Sequence, residues 1–344
     1  MQGVKAKSLY FECLFLDSDF NKSLYDTLGK QSTYLNTDII GNLARTGNWY
    51  NDLNDDHFQF TNSVNTTSQF SIDTSLYQNA GANTIQQLAY SLAHCNEYLN
   101  HLYAEQLLNS KRSLTIIFNT AIGSNYFFEI AKIRALRALV TTLAKEYAIE
   151  IHTNIFATPT KRNKTIYDYN TNMLRSTTEC MSAVLGGTNT ICNLPYDAIY
   201  HKNNEFGDRI SRNQLLILKH ESYFDMVNNP SDGTYYIETL TKQLAEKALK
   251  LFKDIEAHGG FLSQLKEGII QRKIKESAKK EQDQFDSGEL VLVGSNKHPN
   301  SEDRMKDNLE LYPFVKTNPR KTLIEPIIER RLAEKLEQDR LNNE

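Results

Sequence analysis

The chain has 344 residues, of which 40% are hydrophobic and 24% charged, a balance typical of a soluble globular protein with a sizeable core. Its formal net charge of −3 argues against a surface that binds nucleic acid. No apolar run approaches the roughly 18 residues that a membrane-spanning helix needs, and the first residues lack the apolar centre of a secretory signal. The four cysteines match no metal-binding spacing, so we expect free thiols and a cytoplasmic location.

Apolar patterning predicts a regular alternation of strands and helices along the chain. Seven strands are predicted, at residues 9–16, 38–43, 70–76, 114–120, 149–157, 188–194 and 223–227. Between them, helices are predicted at residues 21–28, 83–99, 126–147, 169–185 and 208–219, and another long helix starts near residue 236. Residues 49–57 are predicted to form a polar helix or a loop.

The clearest unit spans residues 70–99, where an alternating, β-branched strand is followed by apolar residues at helical spacing. Gly81 can supply the positive φ angle of the turn between them. Enzymes built from βα units place their chemistry at such strand ends. The side chains expected to point out of this strand end are Asp73, Ser75, Leu76 and Tyr77. Asp73 is the one obvious acid or base in that group.

Strands that alternate with helices favour parallel βαβ units, and the predicted fold is a TIM-type (β/α)8 barrel. Such a barrel needs eight strands, so the seven predicted here suggest that the first strand would precede Met1 and that the chain is truncated at its N-terminus. We assign residues 1–240 to this partial barrel and residues 241–344 to a C-terminal tail. The tail is predicted to contain charged helices at residues 239–252, 262–285 and 324–342 and a short extended piece at 289–296.

Five stretches of the chain resemble, in order, the strand and helix signatures of the cobalamin-dependent acyl-CoA mutases. They read SIDTSLYQNAGANTIQQLAYSLAHCNEYL, NYFFEIAKIRALRALV, LRSTTECMSAVLGGTNTICNLPYD, DRISRNQLLILKHES and NPSDGTYYIETLT. The resemblance runs from about residue 38 to residue 296 and is nearest to the methylmalonyl-CoA mutase family. Within that family the sequence is similar to the small, β-type subunit of the bacterial heterodimeric enzyme.

The positions that form the pocket in catalytic members of the family have different residues here. The family's Tyr-His pair, which precedes Met-Gln-Glu-Ala-Gly-Ala, is Ser75-Leu76, and leucine can neither donate a hydrogen bond nor accept a proton. Asn154 and Phe156 stand where the family has His and Gln. Thr115 replaces an Arg, and Asn36 replaces a Gln. The resemblance therefore implies a degenerate pocket with no catalytic residue.

The cofactor motif of the family is also missing. Family members that hold cobalamin carry Asp-x-His-x-x-Gly in a C-terminal domain, whereas His258 and His298 lie in AHGG and KHPN contexts. Fewer than 50 residues follow residue 296, and a domain of that kind usually needs about 100. We therefore expect no cofactor in this chain and adenosylcobalamin on a partner.

The resemblance implies a silent subunit that docks on a large catalytic subunit to form a heterodimer. That complex would interconvert (R)-methylmalonyl-CoA and succinyl-CoA. One alternative is an acyl-CoA binder or an enzyme in its own right, with a remodelled pocket that uses Asp73, Asn119 and Asn154. Another is a gene fragment with a marginally stable barrel. A barrel interior plugged by Leu76 and Phe156 would favour the silent subunit, and an open polar funnel would favour the binder.

Overall fold

The computed structural model describes residues 7–28, 33–110, 113–316 and 320–344. The strands in this part of the chain are β1 (Leu9–Glu12), β2 (Thr33–Asn36), β3 (Gln69–Asp73), β4 (Ser113–Ile122), β5 (Glu150–Pro159) and β6 (Thr190–Ile191). The first helices are α1 (Ser18–Leu28), α2 (Ile39–Thr46), α3 (Leu53–Thr67), α4 (Ser75–Asn79), α5 (Thr84–Ala104), α6 (Leu107–Ser110) and α7 (Tyr126–Glu146). The later helices are α8 (Thr171–Leu185), α9 (Glu205–His220), α10 (Tyr235–Ala257), α11 (Gly260–Lys266), α12 (Ile269–Asp286) and α13 (Glu334–Asn342).

All strand pairs are parallel, which confirms the predicted α/β class. They form two sheets, one with the order β1-β2 and one with the order β3-β4-β5-β6. The side chain of Gln69 on β3 donates a hydrogen bond of 3.0 Å to the carbonyl oxygen of Thr33 on β2, so the two sheets meet along these strands. The described residues contain six strands rather than the predicted seven.

The predicted strand at residues 38–43 is wrong, because these residues begin helix α2 and the strand precedes them at Thr33–Asn36. Asp38 has extended backbone angles and its carboxylate accepts a hydrogen bond from the amide of Gly41. This is an N-cap, which satisfies a free amide at the start of a helix. It outweighs the β-branched character of Ile39 and Ile40.

The predicted strand at residues 223–227 is also wrong. Tyr223 has a φ of 55°, which a strand cannot contain, and residues 223–226 form a turn closed by a hydrogen bond from Met226 to Tyr223. Met226 and Val227 are 72% and 59% exposed, so no neighbouring strand covers them. A strand needs such a neighbour to satisfy its backbone groups.

The helix predicted at residues 239–252 is present and longer, as α10. The other three predicted C-terminal elements are divided or shorter than expected. The helix predicted at residues 262–285 is divided into α11 and α12 at Gly268, which has a φ of 73°. The predicted extended piece contributes only an isolated bridge between Val293 and Lys297. The helix predicted at 324–342 forms only from Glu334 onward, because the amides of Ile327, Arg330 and Leu332 donate to carbonyl oxygens elsewhere in the fold rather than within a helix.

The main core lies between the larger sheet and helices α5, α7 and α10, whose apolar faces contact one another. Leu114, Ile116 and Phe118 of β4 point into this core. Because side chains alternate along a strand, Thr115, Ile117 and Asn119 face the opposite side of the sheet. We call that side, together with its register partners on β3 and β5, the inner face.

A buried carboxylate, that of Asp38, connects three of these elements at the carboxyl ends of β2 and β3. Besides its cap on Gly41, it accepts hydrogen bonds from the amide of Asp73 at 2.7 Å and from the hydroxyl of Tyr98 on α5 at 2.5 Å. The Nε2 atom of His94, also on α5, lies 3.1 Å from the same carboxylate.

His94 is fully buried within this network. Its Nδ1 atom lies 2.9 Å from the hydroxyl of Tyr77, and its ring stacks on Phe261 at 5.4 Å. Burial raises the pKa of Asp38, but His94 and the hydrogen bonds from Asp73 and Tyr98 outweigh that effect and hold the pKa below its usual value of 3.8. The ionised form of Asp38 is therefore the form that the fold stabilises.

An extended segment, residues 323–332, crosses the carboxyl ends of the strands, and we call it the C-terminal strap. Its backbone amides donate to carbonyl oxygens of the fold in four places, from Leu323 to Gly47, Ile327 to Ala44, Arg330 to Asn79 and Leu332 to Arg162. Arg331 in the strap is buried and pairs with buried Glu337 at 2.5 Å. The strap is thus part of the folded core structure rather than a loose tail.

We expect the variant Asp38→Asn to lower the free energy of unfolding by about 2 kcal/mol near neutral pH, because one acceptor of a buried network is lost. The folded-state pKa of Asp38 is lowered, so its contribution is present above the unfolded pKa and disappears as the pH falls through the folded pKa. The difference between wild type and variant should therefore shrink below about pH 4. Urea denaturation at several pH values measures it.

The matched control is Asp52→Asn. Asp52 caps helix α3 in the same way, but it is exposed, and asparagine is an equally good N-cap. We expect a change of less than about 0.5 kcal/mol at every pH. Equal effects of the two substitutions would contradict the role of the buried Asp38 network.

Candidate functional site

The candidate site lies at the carboxyl ends of β3 to β6, where barrel enzymes place their chemistry. The structure separates the six predicted pocket positions. Ser75 and Leu76 are the first two residues of α4. Thr115, Asn154 and Phe156 lie on the inner face of β4 and β5. Asn36 is the last residue of β2.

Ser75 is held by Asp73, to whose carboxylate it donates hydrogen bonds from its hydroxyl at 2.5 Å and from its amide at 3.1 Å. The other carboxylate oxygen of Asp73 pairs with Arg45 at 2.5 Å. Arg45 also pairs with Glu329 of the C-terminal strap at 2.5 Å. Burial lowers the pKa of Arg45, but the two carboxylates outweigh this effect and hold it above its usual range.

Asp73 therefore has its charge neutralised in the folded protein. Glu329, which completes the network, also accepts a hydrogen bond from the side chain of Asn79 at 2.9 Å. A general base needs a lone pair that can reach the substrate. Here the carboxylates of Asp73 and Glu329 are both engaged with Arg45.

Leu76 points away from the inner face. It is completely buried and belongs to the main core, next in sequence to Tyr77, which is also completely buried. The position that the family fills with a histidine thus packs against apolar side chains here. The side chain of Leu76 is not accessible to solvent, and it has no polar group that could bind a ligand.

The inner face is contacted by an aromatic residue outside the predicted pocket positions, Tyr10 on β1. Its hydroxyl donates to the Oδ1 atom of Asn154 at 3.0 Å and lies 2.9 Å from the hydroxyl of Thr190 on β6. Its ring lies 4.7 Å from that of Phe156 and stacks on Tyr34 at 4.7 Å. Burial raises the pKa of Tyr10, so its hydroxyl remains a neutral donor.

Two of the predicted positions, Asn154 and Phe156, are therefore brought together, and Tyr10 covers both. The alternation of LYFE predicts a strand, but nothing in its local pattern indicates contacts with residues 144 and 180 positions later. The oxygen that Asn154 could offer to a substrate is used to bind β1 to β5. Phe156 fills space beside it.

Of the remaining inner-face positions, Ile117 is apolar and Asp73 is a carboxylate paired with Arg45. Gln69, Ser71, Thr115 and Asn119 are polar and uncharged. Thr115 pairs in register with His152, two residues before the pair of Ile117 and Asn154. Among the described residues, the side-chain oxygens of Asn36, Ser71 and Asn119 are buried without a hydrogen-bond partner. These groups can bind water or a small polar molecule, but hydroxyl and amide groups do not act as acids or bases at neutral pH.

The described part of the chain contains no group of three or more His, Cys, Asp or Glu residues that could hold a metal ion. Cys13, Cys95, Cys180 and Cys192 are free thiols, and burial raises the pKa of Cys95 and Cys180. Among the described helices, none is both long and apolar enough to cross a lipid bilayer.

The six predicted positions do not line the more spacious cavities. One cavity of about 880 Å³ lies between α12 and the C-terminal strap, and another of about 450 Å³ lies beside the N-termini of α5 and α7. Neither is lined by Asn36, Ser75, Leu76, Thr115, Asn154 or Phe156.

Residues 32–340 match the family model of methylmalonyl-CoA mutase. This chain belongs to the methylmalonyl-CoA mutase family. The family assignment agrees with the resemblance found in the sequence and with the parallel α/β fold.

Three relatives illustrate the similarity. The chain is 39% identical over 239 residues to the methylmalonyl-CoA mutase small subunit of Porphyromonas gingivalis, covering 67% of this chain and 38% of that protein. It is 35% identical over 265 residues to methylmalonyl-CoA mutase of Rhizobium meliloti, covering 76% and 37%. It is 32% identical over 282 residues to the mitochondrial enzyme of Mus musculus, covering 79% and 37%. The chain thus spans less than two fifths of the length of these relatives.

We expect Leu76→His, which restores the histidine of catalytic family members, to lower the free energy of unfolding by about 3 kcal/mol. The imidazole would lie in the apolar core without a partner. Leu76→Met conserves volume and apolar character, and should cost less than about 1.5 kcal/mol. Urea denaturation compares the two. Wild-type stability of Leu76→His would instead show that this position opens onto a hydrated pocket.

Proposed function

We propose that this chain is a non-catalytic, small subunit of an adenosylcobalamin-dependent methylmalonyl-CoA mutase. It docks on a large catalytic subunit that interconverts (R)-methylmalonyl-CoA and succinyl-CoA. The observation that carries the proposal is the state of the pocket positions. Leu76 is buried in the core, Asn154 and Phe156 are covered by Tyr10, and Asp73 is paired with Arg45.

The proposed architecture is that of a partial mutase-type (β/α)8 barrel in residues 1–240, followed by a tail in residues 241–344. The contact of Gln69 with Thr33 joins β3 to β2, and the contacts of Tyr10 with Asn154 and Thr190 join β1 to β5 and β6. Each strand of the β1-β2 sheet is thus joined to the larger sheet, as expected where strands curve into a barrel.

We place adenosylcobalamin on the partner subunit. The residues of this chain do not fit the family's axial histidine. His258 is an exposed residue at the C-terminal cap of α10, and its Nδ1 atom lies 2.7 Å from the carbonyl oxygen of Asp254. His298 lies in a left-handed turn with a φ of 53°. Neither lies in the Asp-x-His-x-x-Gly context. The free thiols support a cytoplasmic location for the complex.

A second candidate function is an acyl-CoA binder, or an enzyme with a remodelled pocket. The unpaired, buried oxygens of Ser71 and Asn119 on the inner face favour it, since buried polar groups normally have partners. The absence of a free acid or base near them in the described chain makes catalysis the less well supported of the two functions.

The proposal is tested by co-expression with the catalytic subunit of the same organism, followed by size-exclusion chromatography and a mutase assay. We expect a one-to-one complex whose activity is unchanged when this chain carries Asp73→Asn or Asn154→Ala. Both changes leave the partner's active site intact. As the control, the catalytic subunit carries an alanine in place of the histidine that corresponds to Leu76. This change should abolish turnover.

Two results would contradict this role. One is an intact complex that loses activity with Asn154→Ala, since that would place Asn154 in the reaction. The other is the absence of any complex, together with acyl-CoA turnover by this chain alone.

A further inference from the structure

The groove between α12 and the C-terminal strap is not used by the proposed function. Its volume is about 880 Å³, within the range of small-molecule sites. Its lining includes an apolar set from both walls and from the turn after β3, namely Ala80, Ile274, Ala278, Pro326, Ile327 and Ile328. Ile328 is 48% exposed, whereas Ile274 and Ile327 in the same lining are buried.

The polar lining of the groove is mainly cationic. Lys275 on α12 pairs with Glu325 across the groove, but no carboxylate of the described chain lies within ion-pair distance of Lys279, one turn further along. Asp283 is the acidic residue of the lining. An apolar floor with a free ammonium group at its edge suits a ligand that is itself apolar with one negative charge.

Arg162 supplies a buried cation to the lining. Only 6% of this residue is exposed, its Nε atom pairs with Glu281 at 2.5 Å, and its Nη1 atom donates to the carbonyl oxygen of Arg330 at 2.7 Å. The Nη2 atom has no hydrogen-bond partner among the described residues. A guanidinium N–H group of this kind forms a strong, charge-assisted hydrogen bond with a carboxylate.

Gly81 explains how these groups come so close. Its φ is 95°, and a Cβ atom at this position would lie 2.5 Å from the Cβ atom of Ala278 and 2.8 Å from Nη2 of Arg162. Any other residue would therefore push α12 and the guanidinium away from the turn. The glycine lets the turn after α4, α12 and Arg162 meet where the groove borders the neighbouring cavity of about 450 Å³, which Arg162 also lines.

We propose that this groove binds a linear aliphatic carboxylate. The carboxylate accepts a hydrogen bond from Nη2 of Arg162, and the hydrocarbon chain lies along the apolar floor towards Ile274 and Ile328. The part of α12 that lines the groove, residues 271–283, is about 18 Å long. That length accommodates a ten-carbon chain, with Lys279 adding attraction at the edge.

A small ligand matches this groove better than a protein segment does. Fifteen residues line it, fewer than the roughly 20–30 residues a side of a stable protein interface. The site also shares none of the six pocket positions, so it goes beyond the proposed function. Binding of a carboxylate and docking on a catalytic subunit can be measured separately.

Isothermal titration of the full chain with decanoate, decan-1-ol and butanoate tests the two features of the ligand. We expect saturable, one-to-one binding of decanoate, at least about tenfold tighter than that of either other compound. Decan-1-ol lacks the charge and butanoate lacks the chain. Absence of saturable decanoate binding would overturn the proposal, and so would equal affinity for decan-1-ol.

Two substitutions with matched controls locate the site. Lys279→Glu should weaken decanoate binding about fivefold, because an attraction becomes a repulsion. Lys250→Glu makes the same charge change at an exposed position of α10, outside the groove, and should leave the affinity unchanged. Ile328→Asp should weaken binding, whereas Ile217→Asp, at a residue of similar exposure on α9, should not. Equal effects of site and control variants would overturn the assignment to this groove.

Discussion

The carboxylate of Asp38 is the constraint on which the carboxyl end of the sheet depends. A buried charge is stable only when several donors surround it, and these donors come from α2, from the end of β3 and from α5. The network therefore determines where α2 begins, where β3 ends and how α5 lies over them. His94, Tyr77 and Phe261 extend it into the main core.

A second network, of charged residues, covers the same end of the sheet. Arg45 at the end of α2 joins Asp73 of β3 to Glu329 of the C-terminal strap, and the strap continues to the loop after β5 through its hydrogen bond to Arg162. Asp73 takes part in both networks, with its amide in the first and its carboxylate in the second. Its side chain is therefore a structural group, which is the physical reason for regarding this strand end as closed to chemistry.

Local patterns in the sequence predict the parts of this fold that depend on neighbouring residues. The unit formed by β3 and α5 is confirmed because strand alternation, the glycine of the turn and the helical spacing all act over short distances. The strand predicted at the start of α2 is wrong because the N-cap of Asp38 outweighs the β-branched residues that follow it. The strand predicted at Tyr223 is wrong because the covering of residues such as Met226 depends on elements distant in the sequence. Ser75 and Leu76 follow the end of β3, but they lie in helix α4 rather than in the predicted strand at residues 70–76. The contacts of Tyr10 and Glu329 connect residues 144 to 284 positions apart, which no local pattern contains.

We propose that the inner face of this chain has no working substrate pocket. The most direct measurement is isothermal titration of the isolated chain with succinyl-CoA and methylmalonyl-CoA, with the catalytic subunit as the positive control. We expect no saturable heat from this chain, because Tyr10 covers Asn154 and Phe156 and because Leu76 is buried. Saturable binding that Asn154→Ala or Phe156→Ala weakens at least about tenfold would contradict the claim, since it would show that the acyl-CoA enters between these residues.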